Sequence, residues 1–413
     1  MSSSFRKAGT RRRLLAALLT AAACTAGTQA PAADVYWRPN FEARIEGDTN
    51  RDLVTRDELE DEMAGYQINI GLTWGRATPR SETRIRPRVR FQDYPDRDDL
   101  QRLEQFLEFD TRYRSPRSDF ALFGGYSRRD AYTSELVEAD FDEFDPDDPV
   151  VSQTTRLVLD NTRTRYQLRP RYTYQLSERT GLQAAVTAEV VDYESEGTTS
   201  QVDFSFWQVD GTWVRQLDPR SKLSFGPYYS RYEARDDTTE SDAYGLVVNW
   251  DREWTQRLRG GLTFRVERNE WTRTLPAPAE ETETAWGAVL NLESRGEISL
   301  WRVNVGRQIT PTGSGTKANL DQLRVAYHRS LSPRLTSISA VRLLRVRSQT
   351  DFARGDDRDY ARLELGLQWA MTRTLFIGTG YEFTWREFTQ EGEDALNNAV
   401  YVSLKYEGLP PQR

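Results

Sequence analysis

The chain of 413 residues has very little cysteine and histidine, with one residue of each, Cys24 and His328. A single cysteine cannot form a disulfide within the chain. A single histidine excludes metal centres that need several histidine or cysteine ligands. Long apolar runs are also lacking, because no stretch of 18 apolar residues follows the N-terminal segment. Membrane-spanning helices are therefore not expected after that segment.

Polar composition and abundant aromatic residues occur together in this sequence. The chain is 38% hydrophobic and 29% charged, yet it contains 11 Trp, 19 Tyr and 17 Phe. Disordered chains are polar but poor in aromatic residues, so disorder does not explain this balance. A sheet whose two faces meet different solvents does explain it, and a transmembrane β-barrel is such a sheet.

The N-terminus has the three parts of an export signal. Residues 6–13 are rich in Arg and Lys, residues 14–23 are apolar, and residues 30–32 (Ala-Pro-Ala) match a small-residue cleavage site. We predict a cleaved signal peptide over residues 1–32, followed by a single domain over residues 33–413. Because three alanines precede Cys24, cleavage there and lipidation of Cys24 is the alternative.

The mature chain is predicted to be acidic. The whole chain has 56 basic and 63 acidic residues, and five of the basic residues lie in the signal peptide. Removing these five leaves 51 basic residues and a formal net charge of −12. This charge argues against nonspecific binding to nucleic acid.

A repeat of nearly constant length runs along the mature chain. Short turn signals that end in Arg occur at residues 79–80, 116–117, 178–179, 219–220, 256–257, 294–295, 333–334 and 372–373. The spacings between these Arg residues are 37, 62, 41, 37, 38, 39 and 39. The segments between the turns alternate apolar and polar residues, which indicates strands and excludes helical repeats.

Each repeat has room for two strands of about 13–17 residues. A soluble β-propeller would fit four short strands into roughly 40 residues, which this pattern does not allow. We therefore predict an all-β fold: a transmembrane antiparallel up-and-down β-barrel of about 18 strands (16–18), with short periplasmic turns and longer extracellular loops. The strands are expected to start near residues 34, 63, 81, 102, 118, 160, 180, 199, 221, 240, 258, 282, 296, 317, 335, 357, 375 and 395. A phase change between Phe206 and Trp207 suggests a β-bulge.

The signal peptide, the hairpin repeat and the closing strand with Val400, Val402, Leu404 and Tyr406 resemble Gram-negative outer-membrane β-barrel proteins of the porin type. The resemblance covers nearly the whole mature chain but identifies no subfamily. It implies an outer-membrane location, contact with outer-membrane lipid and lipopolysaccharide, and insertion by the outer-membrane assembly machinery. The chain departs from this family at its end, because residues 407–413 follow the aromatic residue on which such barrels commonly finish.

Charged residues are expected to line the barrel interior, opposite the apolar faces. The candidate channel-lining residues are Arg84, Arg86, Arg88, Arg90, Glu108, Asp110, Arg165, Arg169 and Arg171. Rings of Arg can select anionic solutes, which is the functional interpretation. In the structural interpretation, Arg and carboxylate side chains pair across strands and serve only to complete the hydrogen bonds and ion pairs of a polar inner wall.

The longest interval between turns predicts a long acidic third extracellular loop over residues 134–160. Its candidate constriction residues are Asp140, Asp142, Glu143, Asp145, Asp147 and Asp148. Folded inward, this loop would face the basic wall across the pore. The alternatives are a solvated acidic segment or a Ca²⁺ site, since oxygen clusters suit hard cations.

Five tryptophans, Trp74, Trp254, Trp271, Trp369 and Trp385, are predicted to lie on the outer face near strand ends, as in interfacial aromatic girdles. His328 is expected to face inward near the periplasmic rim. No nucleophile motif such as G-x-S-x-G accompanies it, so we predict that the protein is not an enzyme and needs no cofactor or metal.

The leading functional hypothesis is a channel for passive or weakly selective diffusion of small hydrophilic solutes, with anions as the candidate preference. The first alternative is a component of exopolysaccharide export, in which the barrel would guide an acidic polysaccharide. The second is a structural or adhesive barrel. The sequence does not fix the oligomeric state.

Overall fold

The computed structural model describes residues 33–51, 53, 62–95, 101–130, 161–195, 201–234, 239–274, 278–313, 315–349, 357–388 and 393–409. In this part of the chain, 18 strands form one antiparallel sheet in sequence order. The strands are β1 (Asp34–Asp48), β2 (Met63–Ala77), β3 (Ser81–Asp93), β4 (Arg102–Arg114), β5 (Ser118–Asp130), β6 (Asn161–Gln175), β7 (Thr180–Ser195), β8 (Phe204–Asp218), β9 (Ser221–Ala234), β10 (Thr239–Glu253), β11 (Leu258–Arg273), β12 (Ala279–Arg295), β13 (Ser299–Pro311), β14 (Lys317–Ser332), β15 (Leu335–Ser348), β16 (Arg358–Ala370), β17 (Leu375–Phe388) and β18 (Glu393–Glu407). No helix among the described residues is long and apolar enough to cross a membrane.

The sheet closes on itself because β1 pairs with both β2 and β18. The β1–β18 register runs from Asn40 opposite Glu407 to Asp48 opposite Ala399. Closure gives every strand two neighbours and leaves no unpaired edge, which is the condition for a sheet to cross lipid. The predicted antiparallel 18-stranded barrel is confirmed, and all observed strand starts lie within five residues of the predicted ones.

Alternation along each strand separates an apolar outer face from a polar inner face. On β2 the outward Ile70 is 59% exposed, and on β18 Val400 and Val402 are 61% and 57% exposed. Polar residues at the intervening inward positions are buried, such as Gln322 and Arg324 on β14. An apolar exterior around a polar interior is the arrangement of transmembrane barrels.

Short turns close the hairpins at one end of the barrel, which is the periplasmic end in barrels of this architecture. A hydroxyl or carboxylate at the first turn position repeatedly accepts a backbone hydrogen bond. Thr78 Oγ1 accepts from Ser81 N at 2.9 Å, and Asp218 Oδ1 accepts from Arg220 N at 2.8 Å. Such side-chain bonds are typical of tight turns and replace bonds that the ladder no longer supplies.

Two local predictions are wrong. The register between β7 and β8 is continuous from Arg215 to Phe204, so no bulge separates Phe206 from Trp207. Phe206 faces inward opposite Tyr232, and the aromatic residues simply occupy both faces of β8. The irregularity of this strand lies at Gln216/Asp218. The turn predicted at residues 294–295 lies at residues 296–298, because Ser294 and Arg295 still pair with β13.

Candidate functional site: the barrel interior

Arg84, Arg86, Arg88 and Arg90 follow one another on the inner face of β3, and we term them the Arg ladder. The half of the ladder nearer the short turns pairs with carboxylates. Arg84 lies 2.8 Å from Glu82 and 3.9 Å from Asp110. Arg86 lies 2.9 Å from Glu108 and 3.5 Å from Asp110. Because β4 runs beside β3, the predicted acidic positions fall directly opposite the predicted basic ones.

The other half of the ladder is held by an aromatic ring and a buried acid. The guanidinium of Arg88 lies 4.4 Å from the ring centroid of Phe106. Arg90 lies 3.3 Å from Glu104, which is only 1% exposed. The ladder therefore has the geometry of the structural interpretation, in which each guanidinium is held by a side chain of the same or the next strand.

The three candidate arginines of β6 have different surroundings. Arg165 lies 3.0 Å from Glu189, and Arg169 stacks at 4.4 Å over the ring of Phe123. Arg171 is exposed to the lumen. Within the described residues, Arg171 has no ion pair closer than 4.0 Å. Of the predicted lining residues, Arg171 is therefore the one whose charge is directed at solvent in the pore.

Two cavities occupy the lumen. The first, which we term the vestibule, has a volume of about 1210 Å³ and reaches the short-turn end near Arg114 and Arg179. Eleven basic and seven acidic side chains line it, an excess of four positive charges. The second, which we term the chamber, has a volume of about 400 Å³ and extends towards Thr310 and Lys317 at the long-loop end.

The vestibule and the chamber share a set of lining residues, which we term the neck: Arg169, Arg171, Gln183, Lys222 and Asp251. Three cations and one carboxylate thus surround the passage between the two cavities. Sequence reasoning missed Lys222. Alternation would have found it. Phe225 on β9 points outward and is 45% exposed, and Lys222, three residues earlier, therefore lies on the inner face.

An inward-folded loop lies at the long-loop end of the chamber. Residues 311–313 and 315–318, between and at the ends of β13 and β14, are all buried. Gly313 O accepts a 2.7 Å bond from Val202 N, and Thr312 O accepts a 3.1 Å bond from Tyr232 Oη. Gly315 has φ +83°, a conformation that glycine adopts without strain. We term residues 311–313 and 315–317 the cap, since Thr312 and Gly313 reach the wall at β8 and β9.

Lys317 anchors the cap electrostatically. Its side chain is 2% exposed, its Nζ donates to Asn269 Oδ1 at 2.9 Å, and it lies 3.6 Å from Glu267. Glu267 also accepts a 2.6 Å bond from Tyr228 Oη. A buried ammonium is costly unless it is paired and hydrogen-bonded, and both conditions are met here.

The cap packs against an aromatic cluster inside the barrel. The cluster contains Phe204, Tyr232 and Trp271, with Tyr232 and Trp271 rings 6.3 Å apart. The prediction that Trp271 belongs to the outer girdle is wrong. Leu262 and Phe264 lie on the outer face of β11, and Trp271, an odd number of residues away from both, lies on the inner face. Trp369, at 46% exposure, does face outward, and Trp74 packs outside against Trp37.

The candidate constriction residues of the third loop, Asp140, Asp142, Glu143, Asp145, Asp147 and Asp148, lie outside the described residues, so that constriction stays a prediction. The structure does describe two other loops that reach the interior: the seventh, and the first, in which Leu53 is buried beside Leu320. The sequence of the seventh loop has a feature that could have indicated its burial. Between Arg307 and Asp321 the only charged residue is Lys317, and such low charge suits burial.

On the opposite side of the lumen, carboxylates join several strands. Glu382 on β17 lies 2.9 Å from Arg44 of β1 and 2.9 Å from Arg362 of β16. Arg44 also lies 2.7 Å from Glu46 and stacks at 3.8 Å over the ring of Tyr401. We term Glu382, Arg44 and Arg362 the seam cluster, since it lies where the first and last strands close the barrel.

His328 lies on β14 opposite Leu300 and Ile338, four residues before the strand ends. It is half-buried and has the inward parity of Arg324 and Ala326, as predicted.

Neither a protein-family model nor a curated protein sequence matches the chain. Among solved structures, it is similar to the copper transporter OprC (12% identity, TM-score 0.48), over 91% of this chain and 65% of that one. It is also similar to two proteins of Acinetobacter baumannii, OccAB3 (12%, TM-score 0.45) and the outer-membrane channel DcaP (12%, TM-score 0.43). These two matches cover 91% of this chain and 99% and 97% of OccAB3 and DcaP. The chain thus spans less than two thirds of the copper transporter. At these identities and TM-scores, the similarity adds nothing to the barrel architecture that the structure itself shows.

Proposed function

We propose that this protein is a porin-like channel of the outer membrane that conducts small hydrophilic solutes and prefers anions. The observation that carries the proposal is the neck, where Arg169, Arg171 and Lys222 face one carboxylate, Asp251, between two water-accessible cavities. The apolar exterior places the barrel in a membrane, and residues 1–32 would direct its export. Enzymatic activity is not expected.

The electrostatics of the neck favour anions. Arg171 and Lys222 have no ion pair within 4.0 Å among the described residues, so their charges are not cancelled locally. A unit charge 4 Å from an ion contributes about 1 kcal/mol in bulk water and more where low-dielectric walls displace water. Each of these cations therefore raises the local concentration of small anions about fivefold at low salt.

Replacing both uncompensated cations should abolish the preference. We expect the variant R171Q/K222Q to show at least a fivefold fall in the anion-to-cation permeability ratio, since Arg169 and Asp251 then leave the neck without net charge. The measurement is the reversal potential of single channels in planar bilayers under a salt gradient.

The matched control is R268Q/R345Q, which also removes two positive charges. Arg268 and Arg345 lie on the outer face of the barrel, beside Glu270 and Asp359. This control should keep the wild-type ratio. Equal permeability ratios in the neck variant and the wild type would rule out selection at the neck.

The exopolysaccharide export hypothesis remains the second candidate, because the larger cavity, with its excess of positive charge, lies at the short-turn end, where an exported polymer would enter. An acidic oligosaccharide added on that side should then block the current at micromolar concentration, whereas a neutral oligosaccharide of the same length should not. Equal effects of the two would leave simple diffusion as the function.

A further inference from the structure

A ring of arginines lies on the short-turn end of the barrel. Seven of the eight short turns carry an exposed Arg: Arg80, Arg117, Arg179, Arg220, Arg257, Arg334 and Arg373. The eighth turn, between β12 and β13, has Glu297 instead, which lies 2.8 Å from Arg257. We term the seven residues the turn ring. It accounts for the repeated Arg that the sequence shows, and the pore does not require it.

The turn structure does not require arginine at these positions. The bonds that shape the turns come from the preceding Ser, Thr or Asp, as when Thr255 Oγ1 accepts from Leu258 N at 3.0 Å. The arginines contribute backbone groups to the turns: Arg80 O accepts from Arg114 N at 2.7 Å, and Arg220 N donates to Asp218 Oδ1 at 2.8 Å. Any residue other than proline could supply these backbone groups, so the turns do not depend on the arginine side chains.

Six of the seven side chains of the turn ring form no ion pair with the described residues. Over the described parts of the chain, Arg257 is the member that forms an ion pair within 4.0 Å. On the outer face of the long-loop end, by contrast, arginines sit beside carboxylates, as Arg128 does with Glu194 and Arg231 with Glu233. Among the residues that the structure describes, the exposed arginines without an ion pair on the outside of the barrel thus lie at the short-turn end.

Outward-facing aromatic residues fix the height of the turn ring relative to a membrane. Tyr174 is 40% exposed and lies five residues before Arg179, and Trp369 is 46% exposed and lies four residues before Arg373. Aromatic residues at such positions mark the boundary of the hydrocarbon core. At about 3.3 Å per residue, the turn arginines lie at most about 17 Å beyond this boundary, and their long side chains can reach back towards it.

We propose that the turn ring binds the phosphate groups of anionic phospholipids in the leaflet at the short-turn end. A guanidinium can donate two parallel hydrogen bonds to a phosphate, which suits arginine better than lysine. The arginines are spread around the perimeter rather than gathered on one side, so the partner must surround the barrel, as a shell of lipid does. The proposal requires that the barrel spans a membrane, but not that it conducts anions.

The test measures lipid retained by the full mature barrel. The protein is refolded into vesicles of phosphatidylethanolamine with 25% phosphatidylglycerol, extracted in mild detergent, and the bound lipids are counted by native mass spectrometry. We expect phosphatidylglycerol to be enriched at least fivefold over its share in the vesicle. The variant R80Q/R117Q/R220Q/R334Q should lose most of this enrichment, and the corresponding four Arg→Lys substitutions should keep only part of it.

The control variant R128Q/R231Q/R268Q/R345Q removes the same charge from the other end and should retain the enrichment. Heat-modifiable migration in electrophoresis shows that each variant is folded, and single substitutions at Arg117 or Arg220 serve if the fourfold variant is not. No enrichment in the wild type, or equal loss in both fourfold variants, would overturn the proposal. So would inorganic phosphate at millimolar concentration displacing the phosphatidylglycerol completely, because the site would then recognise a free anion only.

Discussion

Oxidation of the double-cysteine variant V202C/G313C is expected to abolish the single-channel conductance, and reduction is expected to restore it. Val202 N and Gly313 O are 2.7 Å apart, so the two backbones lie close enough for the Cα separation of about 5.5 Å that disulfides prefer. The disulfide would fix the cap against the wall near β8. If solutes pass the long-loop end only when the cap moves, the covalent link prevents their passage.

The matched control is T310C/A318C. Thr310 and Ala318 face each other across β13 and β14, so their disulfide ties the two ends of the cap to each other but not to the opposite wall. Oxidation of this control should leave the conductance unchanged. No natural cysteine has to be removed for this experiment, because the one cysteine of the sequence, Cys24, lies within the predicted signal peptide. Unchanged conductance of oxidised V202C/G313C would show that solutes pass the cap without displacing it.

The second large effect is expected at the seam cluster. The substitution Glu382→Gln should lower the free energy of unfolding by about 3–5 kcal/mol, as breaking a buried ion pair typically does. Arg44 and Arg362 each lie 2.9 Å from Glu382, and all three side chains are less than 20% exposed. Without the Glu382 carboxylate, Arg44 keeps Glu46 at 2.7 Å, but the two guanidinium groups lose the acid that they share where water does not readily reach them.

Unfolding of the refolded barrel in lipid vesicles by guanidinium chloride measures this loss. Glu270→Gln is the control, because Glu270 pairs with Arg268 at 3.6 Å on the exposed outer face, where an ion pair contributes at most about 1 kcal/mol. The double variant E382Q/R362Q should recover part of the stability. A loss below about 1 kcal/mol in Glu382→Gln would mean that water or Glu46 already compensates Arg44.

The Arg ladder illustrates how far the sequence leads towards the site. Period-two alternation placed Arg84, Arg86, Glu108 and Asp110 on the inner face, and the structure has them there. Which of these charges remain available to a solute depends on the neighbouring strand, and β4 supplies carboxylates to β3. Alternation along one strand does not report the register of the next, so the sequence could not separate the paired ladder from the exposed Arg171.

The sequence by itself determined the number of strands, their approximate lengths and, with exceptions such as Trp271, the face that the residues occupy. These features are local: alternation has a period of two residues, and each turn is made by a few adjacent residues. The tertiary structure decided which loop enters the barrel and which charges meet. Tyr232 and Thr312 are 80 positions apart and Arg44 and Glu382 are 338 apart, so both contacts exist only because the sheet closes on itself. Closure brings distant strands to face each other across a narrow lumen, and no pattern within a single strand encodes that distance.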